Sequence, residues 1–217
     1  LTRASGGRPV TLARVDGHSS LVDELTLQAA PLSRVVGIER AADGQPTGLL
    51  RREANKVARR WAVGAMGADE LAAARGEAAR FAASRGVGTV HEMGGPDAMG
   101  AADFDAWRTG DWPLEVIPYW GANDLGFAAE RDLRHLGGDI WLDGSLGSHT
   151  AALTEPYADQ QTHGHLEHDD DAVVELFTAA THAGMQVAVH AIGDAAIDQA
   201  LRCWQRVADD LPEAGDI

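Results

Sequence analysis

An α/β fold with parallel strands is what this 217-residue sequence predicts. Three observations carry the prediction. The same punctuation recurs along the chain: a helical apolar pattern, a glycine, then a short β-branched run ending in polar residues. Two of these runs, Val87 to Met93 and Met185 to His190, start directly after Gly86 and Gly184. The second run delivers an imidazole at its carboxyl end, with Ala191-Ile192-Gly193-Asp194 and another helical pattern behind it. Parallel α/β folds place their chemistry at that end of their strands.

The elements follow in order. Pro9 to Val15 is a strand candidate, and Ser20-Leu21-Val22-Asp23 reads as a capping box opening a helix that Pro31 ends. Residues 34–50 break the alternation, and Asp43-Gly44 marks a hairpin, so this stretch is expected to be a small inserted β excursion. Asp69 to Arg85 is a helix with Leu71, Ala74, Ala78 and Phe81 on one face. After the strand from Val87 come short runs at Leu114 to Tyr119 and Ile140 to Leu142, then a long polar loop from Ala151 to Asp171. A loop of that length is either functional or mobile. Asp171 to Ala183 carries Val174, Phe177 and Thr181 inward, and the last helix sets Ile197, Leu201, Trp204 and Ala208 on one stripe.

Composition bounds the rest. With 45% hydrophobic residues the chain is able to bury one core, so a single domain over 1–217 is expected. No stretch approaches the roughly 20 apolar residues of a membrane span, and residues 1–9 hold charge and glycine where a leader would need an apolar segment. The single cysteine, Cys203, rules out an internal disulfide and suits a cytoplasmic location. A net charge of −15 opposes nucleic acid as a partner.

The second informative stretch is Asp139-Ile140-Trp141-Leu142-Asp143-Gly144-Ser145-Leu146-Gly147-Ser148-His149-Thr150-Ala151-Ala152-Leu153. A short apolar strand opens straight into glycine, serine and aspartate, so the backbone is able to approach a ligand closely. Taken with Val189 to Asp194, Val90-His91-Glu92-Met93-Gly94-Gly95-Pro96 and Arg14-Val15-Asp16-Gly17-His18-Ser19, it resembles the amidohydrolase superfamily. The nearest branch is amidohydrolase family 3, which includes N-substituted formamide deformylases. The resemblance runs over essentially the whole chain.

That resemblance implies a metal-dependent hydrolase on a (β/α)8 TIM-type barrel, with a divalent ion, expected to be zinc, activating water for attack on an amide-type carbonyl. It implies that His190 is the fifth-strand metal ligand and that Asp139 stands at the fourth-strand position, where many relatives have lysine. It also implies that the first-strand His-x-His, the sixth-strand histidine and the eighth-strand aspartate, the general base, lie outside the 217 residues. The chain then reads as a central barrel fragment.

Each residue also has a plain structural reading. His190 is either that ligand or a core histidine bonded to a backbone carbonyl. Asp139 either binds metal or caps a strand, with Arg134 as a pairing partner. His18 either lines the substrate side or caps the next helix from a turn. His91 and Glu92 end a strand at the expected face, where a hydrogen bond to a neighbouring strand is the plain alternative. Asp143, Ser145 and His149 are pocket candidates, and Asp194 is read as a helix cap. His163-Gly164-His165-Leu166-Glu167-His168 has metal-like spacing but follows a polar stretch, so a solvated loop is the favoured reading. Cys203 lacks the basic neighbours that would make it a nucleophile.

The expected function is therefore that of a fragment of an enzyme that hydrolyses C–N bonds other than peptide bonds, acting on a small amide or formamide and inactive in isolation. The alternative is a non-catalytic domain that pairs with a second copy through open barrel edges and keeps a degenerate small-molecule site. A carboxylate pair of Asp143 and Glu92 in another kind of barrel hydrolase ranks below both.

Overall fold

Strand β1 (Thr11–Ala13) turns back through a bend into β2 (Ser19–Val22), and Asp23 then starts helix α1 (Glu24–Ala29) by accepting from the Thr26 backbone N–H at 2.9 Å. This corrects the capping-box expectation. Ser20 is a strand residue whose hydroxyl is taken by Asn55, and the cap is Asp23. The computed structural model describes residues 1–15, 17–96 and 99–211. It divides into two compact units, Leu1–Arg75 and Gly76–Ile217, each described here by itself.

In the first unit β3 (Ile38–Arg40) and β4 (Pro46–Arg51) form the expected hairpin, with Gly44 at φ 82° in its turn. The hairpin is not a separate excursion, however. β4 pairs on its other edge with β2, giving an antiparallel sheet in the order β1-β2-β4-β3. Helix α2 (Arg52–Gly64), which has no counterpart among the sequence-based expectations, lays Ala54 and Ala58 on Leu50, Val22 and Leu32. Small residues at i and i+4 let the helix sit close to the sheet.

Helix α3 (Ala68–Ser84) leads into the second unit. Its predicted apolar face is not buried: Phe81 is 61% exposed, and Ala79 is the fully buried residue. Then follow β5 (Thr89–Glu92), α4 (Ala101–Thr109), β6 (Glu115–Pro118), α5 (Leu125–Glu130), β7 (His135–Trp141), a 3-10 turn (Leu146–Ser148), α6 (Asp170–His182), β8 (Gln186–His190) and α7 (Asp194–Asp210). β5 pairs with β6 and β7 with β8, both parallel, and a parallel bridge between Trp120 and Leu136 links the two pairs. The architecture of this unit is thus α/β with parallel strands. Its core gathers Leu136, Leu142 and Trp120 from the strands and their ends against Phe104, Val173, Leu176, Phe177, Ala180 and Val207 from the helices.

Helices α6 and α7 pack on faces that overlap the predicted ones in part: Phe177, Val174 and Trp204 join the core as expected, with the Phe177 and Trp204 rings 5.9 Å apart. α6 buries Val173, Leu176, Phe177 and Ala180. α7 buries Ala196, Gln199, Cys203 and Val207, while Ile197 and Leu201 face outward. The reason is polar: Gln199 Nε2 donates to the His168 carbonyl and to Asp170, and Arg202 clasps Asp170 through two hydrogen bonds of 2.9 Å, so the α7 face next to α6 is set by these bonds. No helix among the described residues is long and apolar enough to cross a membrane.

Candidate functional site

The carboxyl ends of β7 and β8 are held together at Trp141 and His190, which are register partners with rings 5.6 Å apart. The Leu142 N–H donates to the His190 carbonyl at 2.9 Å. One step further Asp143 is 0% exposed, and its carboxylate accepts three backbone N–H groups: Ala152 at 2.8 Å, Ile192 at 2.9 Å and Gly193 at 2.7 Å. A buried carboxylate is tolerated where donors of this kind replace water. Asp143 therefore fastens the loop after β7 to the loop after β8.

His190 makes the return connection. Its Nε2 lies 3.0 Å from the Gly144 carbonyl oxygen and 4.0 Å from Asp143 Oδ1. A carbonyl only accepts, so Nε2 is the protonated nitrogen, and in the neutral ring the lone pair sits on Nδ1. Backbone crowding makes the arrangement tight. A Cβ on Gly193 would lie 1.8 Å from the Ala152 carbonyl oxygen. Gly137, at φ 94°, marks the start of the β7 register shift beside Ala188.

The loop that follows is closed by its own hydrogen bonds. Ser145, Ser148 and Thr150 share a hydroxyl chain with separations of 2.8 and 2.6 Å, and Thr150 Oγ1 accepts the Ser145 N–H at 3.0 Å. Ser145 is buried within this turn. His149 takes left-handed backbone, φ 57°, and its Nε2 meets both carboxylate oxygens of Asp159 at 3.0 and 3.1 Å, with Tyr157 edge-on at 4.8 Å. The long segment from Ala151 is tied at several points. Tyr157 donates to the Ala151 carbonyl, Leu153 N–H to the His163 carbonyl and Glu167 N–H to the Leu142 carbonyl. Asp194, expected as a cap, instead accepts the Thr154 N–H and hydroxyl, and these bonds hold its carboxyl below the usual range.

At the end of β5, Glu92 accepts the Gly94 N–H at 2.8 Å. Burial pushes its carboxyl above the ordinary value against that bond, and Asp103 adds to the rise. His91 stacks on Tyr119, centroids 5.3 Å apart. His18 lies half-buried in the first unit, in the bend between β1 and β2, where the Gly17 carbonyl receives Asn55 at 2.8 Å. The side chain of Asp139 lies outside the described residues, as does Asp16.

Asp143, Ser145, His149 and His190 thus come together after β7 and β8, while His91 stands at β5 and His18 in the other unit. The histidine tract scatters: His163 Nδ1 lies 3.2 Å from the Leu153 carbonyl oxygen, and His165 pairs with Glu167 at 2.9 Å. Cys203 is buried on α7 with its thiol pushed up, first by burial, so it is held as a thiol. No spacing rule in the sequence links Asp159 to His149, ten positions away. A catalytic zinc takes three protein ligands and water. Among the described residues no group of three His, Cys, Asp or Glu is arranged to hold an ion, so these residues do not make a metal site by themselves.

The sequence model described as "Amidohydrolase family" matches residues 1–216. The chain belongs to the amidohydrolase family. It is 35% identical over 227 residues to "Protein LONG AFTER FAR-RED 3" of Arabidopsis thaliana, covering 92% of this chain and 39% of that protein. It is 30% identical over 232 residues to "Putative amidohydrolase YtcJ" of Bacillus subtilis (strain 168), covering 95% and 42%. An uncharacterized metal-dependent hydrolase from Pyrococcus furiosus superposes with a TM-score of 0.66 at 30% identity, covering 92% of this chain and 44% of the other. One from Pyrococcus horikoshii OT3 gives 0.69 at 24% identity, over 94% and 44%, which supports the fold. The chain spans about two fifths of the length of each of these proteins.

Proposed function

We propose that this chain is the central part of a (β/α)8-barrel domain of a metal-dependent amidohydrolase that hydrolyses the C–N bond of a small amide or formamide, and that it does not turn over substrate alone. The observation that carries the reading is His190. It stands at the carboxyl end of a parallel strand with Nε2–H fixed to a carbonyl, the way metal-ligating histidines are oriented by an outer hydrogen bond. The metal-dependent hydrolases the chain resembles support a divalent ion, and zinc is the ion proposed here. In this reading His190 and Asp139 supply two of its ligands, and other parts of a longer protein supply the rest. The ion's contribution would be an activated water.

The residues in hand would shape the site. Asp143 and Ser145 act by fixing backbone, since their polar atoms are spent on the loops. His149, held by Asp159, and His91 at the end of β5 are the proposed substrate contacts of this unit. The test is zinc binding and turnover by the 217 residues. Weak zinc uptake by calorimetry, abolished in His190→Ala and without hydrolysis of N-formyl amines or simple amides, is expected. Zinc-dependent turnover by the chain alone, or uptake unchanged in His190→Ala, would overturn the reading.

A second reading rests on the outer face of α7, where Leu201 and Trp204 border an apolar groove with Phe177 and Met185. It takes the chain as a non-catalytic domain paired with a second copy. A stable dimer by sedimentation together with no zinc uptake would favour it over the first.

A further inference from the structure

The join between β6 and β7 is thin. β5 pairs with β6 and β7 with β8 through four register partners each. Between β6 and β7 the described backbone link is the Trp120–Leu136 bridge, with the Gly137 N–H donating to the Trp120 carbonyl at 2.7 Å. Side chains span this seam instead. Trp120, Leu136 and Val187 belong to the core shared with the helices. By strand alternation their neighbours Tyr119, His135 and Gln186 occupy the opposite face of the sheet.

On that face His91 stacks on Tyr119 at 5.3 Å and Tyr119 lies against His135 at 4.6 Å, so one phenol ring is flanked by two imidazoles. The Tyr119 hydroxyl donates to Gln186 Oε1 at 2.7 Å, two strands away. Tyr119 itself is buried, at 4% exposure.

We propose that the His91–Tyr119–His135 stack is a proton-sensitive clasp across the β6/β7 seam, closed while the His135 imidazole is neutral and loosened when it gains a proton. The groups on this face can be named strand by strand. β5 brings Thr89 and His91, β6 brings Glu115 and, just past its end, Tyr119, β7 brings His135, and β8 brings Gln186 with His190 further along. A cation over the phenol ring is attractive, but a charged His135 loses hydration at this half-buried place, beside a second imidazole on the same ring. Glu115, bonded by Thr89 at 2.9 Å, is the carboxylate on this face among the described residues, two positions before Ile117, the register partner of His91.

Burial is the main cause that lowers the His135 imidazole below its ordinary value. The neighbouring His91 charge adds to this, and the Pro118 carbonyl opposes it. Burial also raises the Tyr119 phenol, which keeps it neutral. The unfolded chain therefore binds the His135 proton more readily than the folded one. The clasp's contribution is full above the ordinary imidazole value of about 6.5 and falls as the pH drops below it.

Hydrogen exchange read at two amides tests this in the intact chain. Between about pH 7.5 and about pH 5.5, after correction for the intrinsic rate, the Gly137 amide should lose protection while Leu142, bonded within the β7–β8 side, should not. In His135→Phe the Gly137 loss should vanish. An unchanged loss in His135→Phe, or parallel losses at Gly137 and Leu142, would overturn the clasp. If that variant does not fold, an NMR titration of the His135 ring in the unmodified chain decides. A midpoint below that of a free imidazole supports the clasp, and one at or above it refutes it.

Discussion

Asp143 and His190 stand 4.0 Å apart, Oδ1 to Nε2, and each is anchored to the other's strand end. Asp143 follows β7 but is held by the Ile192 and Gly193 amides after β8, and His190 ends β8 but is held by the Gly144 carbonyl after β7. The two side chains form a reciprocal lock between adjacent parallel strands. The imidazole is thereby oriented by the same loop that its own strand helps to hold.

Replacing Asp143 by Asn should be costly although the shape is conserved. The amide presents an NH2 group toward backbone N–H donors and leaves at least one of them unpaired in a buried place. A loss of about 1–3 kcal/mol is expected for such a group, read as a lower urea midpoint with an unchanged slope. If Asp143→Asn unfolds at the same urea concentration as the unmodified chain, the lock does not hold the loops.

The glycines beside the lock make a paired prediction. Ala at Gly137 meets both a backbone oxygen 1.9 Å from its Cβ and a φ of 94°, whereas Ala at Gly184, φ 66°, meets nothing within 4 Å. Gly184→Ala should cost about 1 kcal/mol from backbone conformation alone. Gly137→Ala should cost clearly more, because the Ala188 carbonyl has to move and the β7–β8 ladder with it. Equal thermal midpoints for the two variants would contradict this.

The parallel α/β pattern, the strand ending at His190 and the hairpin at Asp43-Gly44 were legible because periodicity and turn chemistry are local. What escaped depended on partners distant in sequence. Ser20 looks like a cap until α2 brings Asn55 to its hydroxyl, and Ile197 and Leu201 of the predicted α7 stripe face outward while Asp170 engages Gln199 and Arg202. Motif spacing singled out Asp143, His149 and His190 as candidates. It gave no sign that Asp143 is consumed by three amides, or that Asp159 holds His149.

The face of α7 can be checked by substitution. Leu201 is 64% exposed and Val207 is 1% exposed. Leu201→Lys should leave stability within about 0.5 kcal/mol, as surface changes do. Val207→Ala, a smaller change in chemistry, should cost about 1–3 kcal/mol by opening a cavity against α6. The reverse order in a urea series would restore the stripe that sequence periodicity predicts.

Acid should act on the loop latch separately from the imidazole clasp. The Thr154 hydroxyl and amide hold the Asp194 carboxyl below its ordinary value. A depressed carboxyl contributes stability that is present above the unfolded value, about 3.9, and is lost as pH falls through the folded value. Thr154→Val removes the hydroxyl and keeps the amide, so it should bring the Asp194 carboxyl part of the way back up and flatten the acid limb of stability against pH. Asp170, depressed chiefly by Arg202 and then by Gln199, and Asp105, depressed chiefly by Arg131, leave the rest of that limb in place. Urea midpoints measured from about pH 5 to about pH 2.5 in both proteins should therefore converge toward the acid end. Curves that stay a constant distance apart would mean that Thr154 stabilises the loop without engaging the Asp194 charge.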